Sequence, residues 1–383
     1  MVPYRRVEVR YVDLAAGRRL QITAYDTTQS HTRNVAPGEP TLAAVGELVA
    51  LPFSSWHVES STETVQLRVT KKGRQLLHRS VPHGDDRADR VAVDRTHDRV
   101  KRRRLDESDP LFAALGMTTS DGRIKPSKMA KFRQVQDLLG VLDPVVDDAV
   151  ALGPGTAMSP DNPLRLVDLG CGNAYLTFAA FRYLLQVKQL PLEGVGVDLK
   201  AQARAHNDDV ASALGIGDAL TFVEGTIGEA EVSRPPHLVL ALHACDTATD
   251  DALARAVRWE APVILAAPCC HHDIQRQIAA IGQPPDRYRL VTRHGILAER
   301  LADVLTDSLR AAILRILGYR VDVMEFVDSR HTPRNVVIRA VRTGAAPDDA
   351  IVAAYSQLCD EWGLRPALAR RLVGLHPVLG RDL

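Results

Sequence analysis

The stretch Leu166-Val167-Asp168-Leu169-Gly170-Cys171-Gly172-Asn173-Ala174-Tyr175 decides the fold class. An apolar run ends on an acid, two glycines follow at alternate positions, and a helical run then extends through Leu184. The pattern is strand, tight turn, helix. Glycine lets the backbone pass close to a ligand with no Cβ in the way, and the helix start that follows offers N–H groups without intrahelical partners. A dinucleotide-binding turn would carry its third glycine at position 175, which is Tyr. The turn is therefore not one that cradles a pyrophosphate.

Working outward, short apolar runs alternate with helical segments. Strands are predicted at 164–169, 194–198, 220–224, 237–243 and 262–267, with 319–327 and 335–341 closing the sheet. Strands joined through helices form a mainly parallel α/β sheet. Upstream, Met129, Phe132, Val135, Leu138, Leu139 and Leu142 fall on one helical face, and Pro144 limits that helix. In open sheets of this kind the ligand crevice lies at the carboxyl ends of the strands. Asp198 closes the second strand, and Phe222-Val223-Glu224-Gly225-Thr226-Ile227 closes the third. The fourth runs into His243-Ala244-Cys245-Asp246-Thr247-Ala248-Thr249-Asp250, the fifth into Pro268-Cys269-Cys270-His271-His272-Asp273. These last two segments are where catalytic residues belong.

The Asp-x-Gly-x-Gly order resembles the nucleoside-binding turn of class I S-adenosylmethionine-dependent methyltransferases. Leu-His-Ala-Cys-Asp-Thr-Ala-Thr-Asp at 242–250, combined with Pro-Cys-Cys-His-His at 268–272, narrows the resemblance. It points to the methyltransferase-domain family that includes the eukaryotic tRNA ribose 2′-O-methyltransferases of the acceptor stem and related methyltransferase-like proteins. The likeness spans roughly residues 125–341, including His331-Thr332-Pro333-Arg334-Asn335. It implies a class I methyltransferase (Rossmann-like) fold, a seven-stranded mainly parallel sheet, and S-adenosyl-L-methionine as cofactor. Asp168, Gly170, Gly172 and Asn173 would form the turn that holds it, Asp198 would take the ribose hydroxyls, Glu224 and Thr226 would lie near the adenine, and His243 would face the methyl group.

For ribose methylation the enzyme aligns a hydroxyl with the methyl group and removes its proton. His271 and His272 are the candidates for that transfer, since neutral imidazole is available near physiological pH, with Asp246 as an orienting or basic partner. Cys269 or Cys270 would instead serve as nucleophile in a pyrimidine carbon-5 methyltransferase. A small-molecule methyltransferase and a non-catalytic cofactor-binding protein are the further alternatives. His243, Cys245, Cys269, Cys270, His271 and His272 supply donors enough for zinc, yet adjacent cysteines suit one tetrahedral centre poorly and there is no Cys-x-x-Cys pair. No metal is expected. The helical segment Ile296 to Leu317, with Glu299, Arg300, Asp303, Thr306, Asp307 and Arg310, is a candidate wall of the substrate cleft and reads more simply as a packed helix carrying solvated charges.

Composition bounds the rest. With 383 residues, 45% hydrophobic and 25% charged, the chain can bury a core and is not disordered throughout. Its 22 Pro and 25 Gly follow no fibrous period. Five cysteines, an odd number, do not form the framework of a disulfide-dense secreted domain. No apolar run reaches the roughly 20 residues a bilayer requires, and the start lacks an apolar signal stretch, so a cytoplasmic protein without membrane attachment is expected. The division expected is a β-rich module at 1–82, a basic arm at 83–124, the methyltransferase domain at 125–341 and a helical tail at 342–383. Residues 71–104 hold twelve Lys or Arg against five Asp, a net +7 in a chain of net +1, so the remainder carries −6. A basic segment beside an acidic body suits a phosphate backbone, and RNA is the expected partner.

Overall fold

The computed structural model describes residues 4–14, 17–26, 29–60, 63–70, 73–80, 103–155, 158–242, 244–281, 284–325 and 335–380. Residues 83–102 of the expected basic arm, His243, and the segment His331 to Arg334 lie outside the described residues. The chain divides into two compact units, Met1–Arg102 and Arg103–Leu383.

In the first unit, period-two alternation gives two antiparallel sheets of three strands. One contains β1 (Arg6–Leu14), β2 (Gly17–Tyr25) and β3 (Ser30–Val35); the other contains β4 (Ser55–Glu59), β5 (Thr64–Val69) and β6 (Gln75–Ser80). Leu20 and Ile22 project from the same side of β2 and pack against Ala44 and Leu48 of helix α1 (Glu39–Val49). The alternations at 7–11 and 65–69 fall on β1 and β5. The polar strand Ser30-His31-Thr32-Arg33-Asn34-Val35 carries no such signal; pairing with β2 makes it a strand.

The second unit is built on a seven-stranded sheet. Its strands are β7 (Leu164–Leu169), β8 (Leu192–Asp198), β9 (Leu220–Glu224), β10 (Leu238–Ala241), β11 (Val263–Ala266), β12 (Tyr319–Glu325) and β13 (Val336–Arg342). They lie in the order β12-β13-β11-β10-β7-β8-β9. β13 runs opposite in direction to the other six strands, so its pairings with β11 and β12 are antiparallel and the rest are parallel. The principal helices are α2 (Met129–Leu142), α3 (Tyr175–Arg182), α4 (Ala201–Ala213), α5 (Thr247–Arg258), α6 (His272–Ala280), α7 (Gly295–Ile316), α8 (Asp349–Trp362) and α9 (Ala367–Arg371).

Strand alternation sorts the central residues between two cores. Leu164 and Leu166 of β7, with Leu238 and Leu240 of β10, join the core that includes α2 and α3. Val167 and Leu169, with Val239 and Ala241, join the core that includes α5, α7 and α8. Both faces are covered, so β7 reads as a continuous apolar run interrupted only by Arg165 and Asp168. Each fully buried Leu contributes about 1.5–3 kcal/mol.

Two expected boundaries are revised. Residues 103–124 belong to the second unit, because Leu105, Leu111, Phe112 and Met117 insert into its α2–α3 core. The segment 342–383 is likewise part of that unit: Tyr355, Trp362, Leu368 and Leu372 are buried in the opposite core. Arg371 pairs with Asp251 and so ties α9 to α5. Among the described residues no helix is long and apolar enough to cross a membrane.

Candidate active site

At the end of β7 the chain turns under its own backbone constraints. Gly170 and Gly172 adopt φ of 79° and 53°, the left-handed region that glycine enters without cost. Ala174, at φ 49°, takes that conformation at the N-cap of α3 without being glycine. The turn is pinned to β8: Gly170 and Cys171 donate N–H bonds to the Val197 carbonyl at 2.8 and 3.1 Å, and Gly172 donates to Asp198 Oδ2 at 2.8 Å. Asp198 Oδ1 accepts from the Lys200 N–H at 3.0 Å. Each carboxylate oxygen has capacity for a further donor. Below the turn, a Cβ on Gly196 would lie 2.6 Å from the Phe222 ring, so only glycine fits.

Asp168 shares the face of Leu164 and Leu166, and is covered by α3. There Thr177 donates to its Oδ2 at 2.5 Å, while Oδ1 is buried with no hydrogen-bond partner. Burial pushes the Asp168 carboxyl up to about 7; the Thr177 hydroxyl pulls against the rise and the Asp198 charge adds to it. Asn207 of α4 donates to the Gly172 carbonyl at 2.8 Å and fixes the turn from the other side. Thr177 and Asn207 are missing from the sequence-based site. Their only signal is a polar residue on the apolar face of its helix.

Three features fit an adenosyl sulfonium cofactor here. Asp168 Oδ1 is buried and unsatisfied, the Cβ position of Gly172 faces open space, and the Asp198 carboxylate lies beside both. Asn173 is exposed next to the turn. Glu224 is exposed at the end of β9, in register with Asp198. Thr226 caps the short turn Ile227–Glu229, accepting the Glu229 N–H and donating to the Glu229 carboxylate.

The end of β10 meets this turn from the other side of β7, and β11 lies next to β10. A Cβ on Gly170 would lie 3.5 Å from Ala244 Cα, which places Ala244 directly against the glycine turn. Asp246 has φ 52° and ψ −125°, a conformation costly for a residue with a side chain. Its carboxylate repays that cost: Oδ1 accepts the N–H groups of His272 and Asp273 at 2.8 and 3.1 Å, holding the N-terminus of α6. Acid at a helix start is also favoured by the helix dipole.

The two histidines part ways. The His272 side chain is 52% exposed, with Nδ1 3.8 Å from Asp246 Oδ2. His271 is buried and turned inward, with Nε2 3.0 Å from Asp307 and Nδ1 3.3 Å from Asp303. His271 is thus placed to position the loop, and of the two candidates His272 is the one that faces solvent.

A further revision concerns α7. Asp307 and Arg310 are buried, not solvated. Arg310 donates to both oxygens of Asp250 at 3.0 and 2.7 Å, to Asp307 at 3.2 Å and to the Asp246 carbonyl at 2.9 Å. Burial works against its charge, but Asp250 and Asp307 outweigh that and raise its pKa. The chain His271–Asp307–Arg310–Asp250 therefore supports the strained Asp246 from below.

Cys245, Cys269 and Cys270 also gather at these strand ends. Burial, followed by the neighbouring Cys245 and Cys270 sulfurs, pushes the Cys269 thiol far above its ordinary value. Unaided, it is poorly suited to act as a thiolate nucleophile.

Residues 130–277 match the family described as a methyltransferase domain. With the sheet order and the glycine turn, this decides the fold and cofactor. Residues 130–277 lie in a class I, S-adenosylmethionine-dependent methyltransferase domain. No curated protein matches the chain. Solved structures similar to this chain include a Podospora anserina methyltransferase with bound S-adenosylhomocysteine, 15% identical, covering 69% of this chain and 98% of that one at a TM-score of 0.34. Geranyl diphosphate C-methyltransferase from Streptomyces coelicolor is 15% identical, covering 57% and 88%, at 0.31. An O-methyltransferase family protein from Burkholderia thailandensis is 14% identical, covering 58% and 61%, at 0.29. None of these likenesses narrows the domain to the tRNA ribose enzymes.

Proposed function

We propose that the domain methylates a ribose 2′-hydroxyl of RNA, with His272 accepting the hydroxyl proton. The observation that carries this reading is the arrangement at the start of α6. His272 is the half-exposed imidazole of the pair, and the backbone carrying it is fixed by Asp246. S-adenosylmethionine supplies an already activated methyl group when bound, so the residues of this chain need only orient the acceptor and take its proton. Asp246 orients the segment, and His271, hydrogen-bonded through Nε2 to Asp307, keeps the preceding loop in place. Cys269 and Cys270 have no part in the proton transfer. RNA as acceptor is supported by the motif resemblance at 242–250 and 268–272 and by the basic run at 71–104.

Incubating cellular RNA and metabolite fractions with labelled methyl donor, using the wild type and His272→Ala, tests the reading. Label is expected in RNA, with turnover reduced about 10²–10⁴-fold in the variant and cofactor affinity unchanged. Label confined to the metabolite fraction, or full turnover by a folded His272→Ala protein, would refute it.

A further inference from the structure

Three thiols from two separate strand ends converge in the second unit. Cys245 follows β10; Cys269 and Cys270 follow β11. Cys245 Sγ lies 3.0 Å from Cys269 Sγ, Cys269 Sγ lies 3.8 Å from Cys270 Sγ, and all three sulfurs fall within 4.8 Å of one another. Among the described residues this is the group of His, Cys, Asp or Glu side chains whose ligand atoms converge closely enough to share one cation.

We propose that Cys245, Cys269 and Cys270 bind one zinc ion, with the fourth coordination position open toward solvent. The inference goes beyond methyl transfer, because metal uptake is read without turnover. Zinc–sulfur bonds of about 2.3 Å in a tetrahedron place the sulfurs about 3.8 Å apart. The Cys269–Cys270 pair already has that separation. The Cys245–Cys269 pair needs to open by only about 0.8 Å. The absence of a Cys-x-x-Cys pair loses its force once β10 and β11 are neighbours in the sheet, since one thiol comes from one strand end and two from the next. Cys245 is exposed, which leaves the outer side of the cluster accessible to a water molecule or a substrate atom. On binding, each thiol releases its proton to solvent and the three thiolates carry the ion with a net charge of −1.

A disulfide between Cys245 and Cys269 is the competing use of the short contact. It engages two sulfurs and strands the third. The two outcomes separate cleanly by experiment.

The full chain, purified under reductant and without chelator, is analysed for zinc by plasma mass spectrometry, and the apo form is titrated with Co²⁺. About one metal per chain and a thiolate-to-cobalt charge-transfer band in the near ultraviolet are expected. Cys245→Ser and Cys270→Ser should each weaken metal affinity at least tenfold, whereas Cys359→Ser, buried elsewhere, should retain it. Circular dichroism establishes that each variant is folded, and the wild-type cobalt spectrum stands even where a variant is not. Zinc no higher in the wild type than in Cys245→Ser, a cobalt spectrum without a thiolate band, or an intact mass two hydrogens light from a Cys245–Cys269 disulfide would overturn the proposal.

Discussion

The two halves of the strand-end crevice are built in opposite ways. Beside β7, β8 and β9 the site is largely backbone: two glycines at positive φ, N–H bonds to Val197 and Asp198, and a strand glycine that admits the Phe222 ring. Beside β10 and β11 it is side-chain chemistry anchored from a distant helix, with Arg310 reaching Asp250 across 60 residues and Asp307 reaching His271 across 36. The first half tolerates few residue types at few positions. The second depends on charges that must be buried together.

The comparison is broken most directly at Arg310. Arg310→Met would leave Asp250 and Asp307 buried without their cation, and a loss of about 3–5 kcal/mol is expected by urea unfolding. A loss below 1 kcal/mol would mean that the buried network does not hold this half together.

Next in size is a pH effect at Asp168. A carboxyl raised in the fold contributes stability that is present below its unfolded value of 3.8 and is lost as pH rises through about 7. Asp168→Asn removes that dependence. Urea unfolding from pH 4 to 7 should show the variant gaining on the wild type as pH rises, by roughly 3 kcal/mol at about 1.4 kcal/mol per unit. A constant difference across this window would place Asp168 in a wetter setting than its burial indicates.

Smaller effects sharpen the backbone half. Gly196→Ala drives a Cβ into Phe222 and Cys171 and should cost about 1–3 kcal/mol. Gly172→Ala meets open space and should cost only about 1 kcal/mol for its left-handed backbone. Its effect should fall on cofactor affinity, because the added methyl enters the space beside Asp198. Equal stability losses in the two variants, with cofactor binding intact in Gly172→Ala, would dissolve the distinction.

That same division explains what could be read from the sequence. Strand, turn and acid at 164–172, and Asp198 at the next strand end, are local patterns that glycine and apolar alternation write directly. The strands of the sheet were legible for the same reason. The charges of α7 were not: Asp303, Asp307 and Arg310 look like a solvated face until Asp250 and His271 are brought onto them by packing. His271 and His272 are adjacent in sequence, and only the Asp246-capped start of α6 sends one inward and the other outward. Residues 103–124 group in sequence with the charge-rich run at 83–104 that precedes them, yet Leu105, Leu111, Phe112 and Met117 anchor them in the core beside α2.

The central claim is that the turn at 170–172, with Asp198, holds S-adenosylmethionine. Calorimetric titration of that cofactor into the wild type and Asp198→Ala tests it most directly. One site per chain is expected, weakened about 10–100-fold in the variant, as suits the loss of charge-assisted hydrogen bonds. A folded wild-type protein that takes up no cofactor, or a variant that binds it equally well, would contradict the account.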